Sequence, residues 1–130
     1  MTFSLVKMDG IVYNVRVTYD SLHLHFALVE GDNAATMLND YDFRDLRGTK
    51  YGHEMQVEPD PAHPEDYDAF FYAISAPVPT HLVELPFGQS TITYEAKVTD
   101  GDITFGGKLA GKNRWKGLVV RFSAIQPQRR

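Results

Sequence analysis

A pair of histidines is the first feature of this sequence whose residue types and spacing suggest chemistry. His23 and His25 are two residues apart, so on a β-strand both imidazoles project from the same face and could bind one metal ion. A third ligand would have to come from elsewhere in the chain, where the candidates are His53, His63, His81 and the carboxylates. The simpler interpretation is a strand with surface histidines on one face and a buried apolar face opposite, and we predict no bound metal or other cofactor.

Acid–base and nucleophilic catalysis have weak support in the sequence. The carboxylates Asp40, Asp42 and Asp45 lie close together along the chain, but they lack the spacing of an EF-hand and are better explained as a solvated acidic loop. The chain has no cysteine, which excludes a thiol nucleophile, a thiolate metal site and a disulfide. It also has no G-x-S-x-G nucleophile motif and no complete phosphate-binding loop. We therefore predict that the protein is not an enzyme, and a metal-dependent hydrolase with its metal at His23 and His25 is the less favoured alternative.

Exposed aromatic residues offer an alternative function as a small binding module for carbohydrate or protein. Trp115, Tyr19, Tyr41 and Tyr51 are the aromatics that we expect at the surface, whereas the other strand aromatics fall on predicted core faces. The four are scattered along the chain, so the sequence does not show whether they share one surface.

Composition and charge limit the other classes of partner. The chain has 130 residues, 43% of them hydrophobic and 23% charged, which predicts one globular domain over residues 1–125 with a frayed tail at 126–130. The formal charge of −4 disfavours nucleic acid as a partner. The sequence contains no apolar run near the roughly 20 residues that cross a bilayer, so we predict no membrane partner and a cytosolic protein.

Charge is unevenly distributed along the chain. The last quarter is basic, while the stretch from Glu30 to Asp68 is mostly acidic. Such an asymmetry would let the basic end of one copy meet the acidic end of another. The alternative is a solvated surface of mixed charge.

The first half of the chain shows the two-residue period of β-strands. A turn at residues 8–10 separates two strands, and two apolar rows follow that we predict to face the core. We interpret residues 31–42 as a loop, and a further strand follows from Phe43, with glycines that indicate a bulge or bend. The two predicted core rows are Ile11, Tyr13, Val15 and Val17, then Leu22, Leu24, Phe26 and Leu28. In the strand that follows, Tyr51, His53, Met55 and Val57 share one face.

One helix is predicted between two blocks of strands. Prolines at residues 59–64 end the first block, and Pro64 suits the first helical position. Tyr67, Phe70, Phe71 and Ile74 recur at helical spacing and should pack on the sheet. The second block starts at Thr80, with a hairpin signal at residues 100–101. The fold class is thus mainly β with one helix: an antiparallel β-sandwich or barrel-like sheet with a helix on its flank.

Several segments resemble small prophage proteins of Gram-positive bacteria. They are Arg44–Thr49, Glu65–Phe71, Ile74–Val78, His81–Gly88, Ile92–Val98 and Arg114–Pro127. The order of strands, one helix and strands is also similar to tail-tube, distal-tail and baseplate-hub domains.

The resemblance implies a phage tail structural protein that is made in the bacterial cytoplasm and then becomes part of the virion tail. Its partners would be copies of itself, in a ring, and other phage tail proteins. Subunits in such a ring meet head to tail, which requires two complementary surfaces on each copy. On this hypothesis Arg44, Arg47, Asp40 and Asp42 are candidate interface residues.

Overall fold

The protein is predominantly antiparallel β-sheet with a single helix, as the sequence predicts. The computed structural model describes residues 6–30, 35–36, 42–43 and 46–129. The first block of strands comprises β1 (Val6–Met8), β2 (Ile11–Tyr13), β3 (Val15–Val17), β4 (His23–Glu30), β5 (Ala35–Thr36), β6 (Asp42–Phe43) and β7 (Leu46–Pro59). After the helix α1 (Pro64–Ile74) come β8 (His81–Phe87), β9 (Ser90–Lys97), β10 (Gly101–Leu109) and β11 (Lys112–Ala124).

One curled sheet of nine strands forms the body of the fold. Its main path runs β2-β1-β8-β9-β11-β7-β3, with β10 paired to β11 and β4 paired to β7. Only Asn14 separates β2 from β3, although these strands occupy opposite ends of that path. The sheet therefore curves until its two ends are joined by one residue. It does not close into a barrel, so the prediction of a barrel-like sheet is only loosely supported.

The helix covers the inner side of this curved sheet. Tyr67, Phe70 and Ile74 are buried and Phe71 is half-buried, which confirms the predicted helical face. Pro64 occupies the first turn, as predicted. The Asp66 carboxylate accepts a 2.8 Å hydrogen bond from the Asn14 N–H and so fixes the start of the helix to the point where the sheet ends meet.

Two turns adopt left-handed backbone conformations that suit two-residue hairpins. Asp9 and Gly10, at φ 54° and 78°, join β1 to β2 and confirm the turn predicted there. Ala110 and Gly111, at 54° and 77°, join β10 to β11. Positive φ at both central residues is characteristic of the type I′ turn.

The predicted hairpin at residues 100–101 is wrong. β9 and β10 do not pair with each other, because both pair with β11. β9 pairs with Ser123 and Ala124 of β11, and β10 pairs with the part of β11 between Lys112 and Val120. Residues 98–100 therefore interrupt one extended stretch of chain, and the hairpin turn lies ten residues later. The local Asp-Gly signal could not reveal this, because β11 provides the partner for both strands.

Two other details of the first half differ from the prediction. Ile11 lies on a predicted core row but is 54% exposed, whereas Tyr13, Val15 and Val17 are buried. Within the stretch interpreted as a loop, Ala35–Thr36 forms a strand paired with Asp42–Phe43, and the other residues of that stretch lie outside the described part of the chain.

The C-terminal segment, which we predicted to be frayed, is hydrogen-bonded in the structure. The Thr49 N–H donates to the Arg129 carbonyl at 2.7 Å, and the Gln128 N–H donates to the Thr49 carbonyl at 3.0 Å. The Gln128 side chain also accepts from the Tyr51 N–H at 2.8 Å. These bonds satisfy the edge of β7 beyond the end of β11.

Candidate functional site

The strand β4 carries a row of apolar side chains that the protein leaves exposed. Leu24 is 43% exposed, Phe26 65% and Leu28 42%. The prediction that these three residues belong to the core is therefore wrong, whereas Leu22, in the same predicted row, is partly buried against the core. Strand alternation correctly indicated one apolar face, but it carries no information about what covers that face.

The position of β4 on β7 explains why the row is uncovered. Leu24 pairs with His53, Phe26 with Tyr51 and Leu28 with Thr49, and directly opposed residues project from the same side of a sheet. His53 faces the core, so the row lies on the core side of the sheet. Within the described chain, β11 pairs with β7 only from Gly52 to Val57. The two-stranded part formed by β4 and the start of β7 therefore extends past the covered part of the sheet.

The helix is too far away to cover this row. α1 reaches the sheet where the Tyr67 hydroxyl meets Val57 and Leu118. Tyr51, which opposes Phe26, is roughly 20 Å further along β7 at the rise of a β-strand. The exposed row and the helix therefore lie at different ends of the molecule.

Two aromatic residues extend the apolar row toward the core. Tyr51 and Phe87 are half-buried, and their rings meet edge to face with centroids 4.9 Å apart. We refer to Leu24, Phe26, Leu28, Tyr51 and Phe87 as the β4 surface. It lies on an edge strand, since β4 pairs with β7 alone among the described strands.

A buried polar network supports the base of the β4 surface. The two ring nitrogens of His53 lie 2.7 Å from the Tyr94 hydroxyl and 2.7 Å from the Pro86 carbonyl oxygen. Because a carbonyl only accepts, Nε2 carries the proton and Nδ1 accepts from Tyr94. Burial lowers the pKa of His53, outweighing the opposing effect of its Pro86 hydrogen bond, and raises the pKa of Tyr94.

The histidine pair lies on the other face of β4. His23 opposes Glu54, and His25 opposes Gly52. The His25 ring lies directly over Gly52, where a Cβ atom would be 2.5 Å from its Cε1 atom. Glycine at position 52 thus leaves room for this ring.

No metal site is formed among the residues that the structure describes, which include no group of three or more His, Asp or Glu side chains suited to a metal ion. Two of the histidines considered as third ligands have other partners. His53 belongs to the buried network, and His81 is 2.7 Å from the Asp9 carboxylate. Burial tends to raise the pKa of Asp9, but hydrogen bonds from His81 and the Leu82 N–H lower it overall.

Of the candidate interface residues, two lie within the described part of the chain. Asp42 belongs to β6, opposite Thr36. Arg47 is exposed and is the extra residue of a β-bulge, because Val29 pairs with Gly48 and Glu30 with Leu46. This bulge confirms the irregularity predicted near Gly48. Asp40 and Arg44 lie outside the described residues.

The second surface feature is a groove at the opposite end of the sheet. It has a volume of about 870 Å³ and lies between the β10–β11 ribbon and the start of α1. Its charged lining residues are Glu58, Asp60, Glu65, Asp68, Lys112, Arg114 and Lys116. Trp115 lines it as well and packs edge to face on Phe105, with centroids 5.1 Å apart.

The groove does not contain the row of exposed aromatics that a sugar-stacking platform requires. Of the two aromatics that line it, Trp115 is 37% exposed and Tyr67 is buried. Tyr51 lies instead in the β4 surface, and Tyr19, 64% exposed, follows β3. Tyr41 lies outside the described residues.

Comparisons with known proteins identify no family for this chain. No protein-family model matches it, and no curated protein is significantly similar to it. In the described part of the chain, no helix is long and apolar enough to span a membrane.

Proposed function

We propose that this protein is a structural subunit that assembles through the β4 surface, and that the assembly is a phage or prophage tail. The observation that carries the proposal is the apolar row Leu24, Phe26 and Leu28, exposed on an edge strand. Large contiguous apolar patches are uncommon on monomers and typically mark interaction sites.

Among the described residues, the edge of β4 has little of the usual protection against strand pairing. Native edge strands are commonly protected by proline, by lysine or by bulges. β4 contains neither proline nor lysine, and it stays in register with β7 from His23 to Val29. An edge of this kind offers backbone donors and acceptors to a partner, in addition to its apolar side chains.

The tail setting rests on the resemblance of Arg44–Thr49, Glu65–Phe71 and the later segments to small prophage proteins. The order of strands, one helix and strands agrees with that hypothesis. In this proposal the protein is not an enzyme, is made in the bacterial cytoplasm and enters the virion tail. Its partners are further copies of itself and other tail proteins.

The substitution Phe26→Asp tests the proposal directly. Phe26 is the most exposed member of the apolar row, at 65%, so a charge there should block docking with little effect on folding. We expect the wild type to form oligomers whose mass rises with concentration, and Phe26→Asp to remain monomeric. The measurement is light scattering coupled to gel filtration over a wide concentration range.

Tyr72→Asp is the matched control. Tyr72 is 81% exposed on α1, away from the β4 surface, so its replacement removes a comparable exposed ring and should leave the oligomers intact. Equal loss of assembly in both variants, or a wild type that is monomeric at every concentration, would contradict the proposal.

A further inference from the structure

We infer that Asp100 is a site of spontaneous isoaspartate formation, and that the fold prevents the same modification at Asp9. Glycine after aspartate favours this reaction, because glycine has no side chain to hinder the approach of its backbone nitrogen. The chain contains this dipeptide twice, as Asp9-Gly10 and Asp100-Gly101. The inference is independent of the proposed function, since neither dipeptide belongs to the β4 surface.

The reaction requires only water. The backbone nitrogen of the glycine attacks the Cγ atom of the aspartate and loses its proton, a side-chain oxygen leaves as water, and a five-membered succinimide ring results. Water then opens the ring at either carbonyl. Cleavage between the nitrogen and the former main-chain carbonyl leaves a free carboxylate there, and the chain continues through Cγ. The product has the mass of the original protein and one additional methylene group in its backbone.

The Asp100 side chain has the freedom that this attack requires. It is exposed and lies between β9, which ends at Lys97, and β10, which begins at Gly101. It has no hydrogen-bond or ion-pair partner among the described residues. The connection holds one residue more than the strand opposite, because Lys97 pairs with Ser123 and Gly101 with Val120. Asp100 is thus unpaired, and strand pairing does not fix its ψ angle.

The nitrogen of Gly101 is also free of the sheet. Val119 lies opposite Gln56, and the Gln56 N–H and carbonyl form hydrogen bonds with Ser21 and Thr18 on the other side of β7. Because the bonding direction alternates along an antiparallel strand, Val119 turns its own N–H and carbonyl toward β10. Gly101 opposes the next residue of β11 and so turns its N–H away from that strand. Among the described strands β10 pairs with β11 alone, so this N–H faces an open edge.

At Asp9 the fold holds the corresponding groups in place. One carboxylate oxygen is 2.7 Å from the His81 Nδ1 atom, and the other accepts a 2.8 Å hydrogen bond from the Leu82 N–H. The Asp9 N–H donates to the Leu82 carbonyl at 2.7 Å. The Cγ atom of Asp9 therefore turns toward the Gly10 nitrogen only if the carboxylate first loses these partners.

Prolonged storage of the folded full-length protein at neutral pH tests the inference. Peptide mapping by liquid chromatography, with electron-transfer fragmentation, distinguishes isoaspartate from aspartate at each site although their masses are equal. We expect isoaspartate to accumulate at Asp100 at least about tenfold faster than at Asp9, the factor that corresponds to breaking one hydrogen bond to a charged group.

The same incubation in guanidinium chloride separates the effect of the fold from that of the dipeptide. In the unfolded chain both sites should react at similar rates, because the hydrogen bonds of Asp9 are gone. Asp100→Glu is the matched variant, since its longer side chain would have to close a less favourable six-membered ring. Isoaspartate should then be absent from position 100, while the folded variant keeps the slow rate of the wild type at Asp9.

The comparison between sites and between states decides the inference. Faster reaction at Asp100 in the folded protein, together with similar rates at the two sites in the unfolded chain, supports it. Equal rates at Asp9 and Asp100 in the folded protein would overturn it, because the fold would then not protect Asp9 selectively. Absence of isoaspartate at Asp100 in the folded protein would overturn it as well.

Discussion

His53 shows how one buried polar residue sets a condition for folding. It is completely buried, and both of its nitrogens are used, one by Tyr94 and one by Pro86. A neutral imidazole has one donor and one acceptor nitrogen, and this arrangement gives each of them a hydrogen-bond partner. Protonation would place a positive charge in a site that water does not reach, and burial accordingly lowers the pKa of His53.

The lowered pKa of His53 predicts acid sensitivity near neutral pH. The unfolded chain takes up the proton as pH falls through about 6.5, while the folded protein resists it. Stability contributed by neutral His53 is therefore fully present above that pH and is lost as pH falls toward the folded-state pKa, with a slope of up to about 1.4 kcal/mol per pH unit.

Urea unfolding between pH 8 and pH 5.5 measures this effect, and His53→Gln provides the comparison. Glutamine retains a donor and an acceptor but does not titrate, so the variant should lose less stability over this range than the wild type. Asp9, whose pKa is lowered from a value of 3.8, titrates below the range. Parallel pH profiles for the two proteins would show that His53 is not responsible.

At the scale of elements, Tyr67 connects the helix to two strands. Its buried hydroxyl donates to the Val57 carbonyl at 3.0 Å and accepts from the Leu118 N–H at 3.2 Å. Burial raises the pKa of Tyr67 to about 12, so the hydroxyl keeps its proton at neutral pH. One side chain of α1 thus satisfies backbone groups of both β7 and β11.

Tyr67→Phe should lower the free energy of unfolding by about 1–3 kcal/mol, because it leaves two buried backbone groups without this partner. Tyr72→Phe, at an exposed position of the same helix, should change it by no more than about 0.5 kcal/mol. Urea denaturation with unchanged m-values tests the pair. Similar effects of the two substitutions would show that the hydroxyl of Tyr67 does not secure the helix.

These elements also show what could be predicted from the sequence. The helix could be predicted, because Pro64 and the spacing of Tyr67, Phe70 and Ile74 are local signals. The order of strands could not, since β9 pairs with β8 and with the end of β11 but not with β10, which follows it directly in the chain. The sequence predicts that Leu24, Phe26 and Leu28 face the core, because an alternating strand looks the same whether its apolar face is covered by its own chain or by another.

At the scale of the whole molecule, the structure has two unlike ends. One end presents Leu24, Phe26 and Leu28 on β4, which is an edge strand among the described strands. The other presents Phe105, Leu109 and Trp115 on a ribbon rich in lysine and arginine. The curved sheet and the helix hold the two apart.

Hydrogen exchange of the wild-type protein at increasing concentration tests the central claim, that β4 is an assembly interface. The account predicts that amides of His23–Glu30 exchange more slowly as oligomers form, while the exchange of α1, which bears the exposed Tyr72, stays constant. Oligomers whose β4 amides exchange as fast as those of the monomer would contradict it.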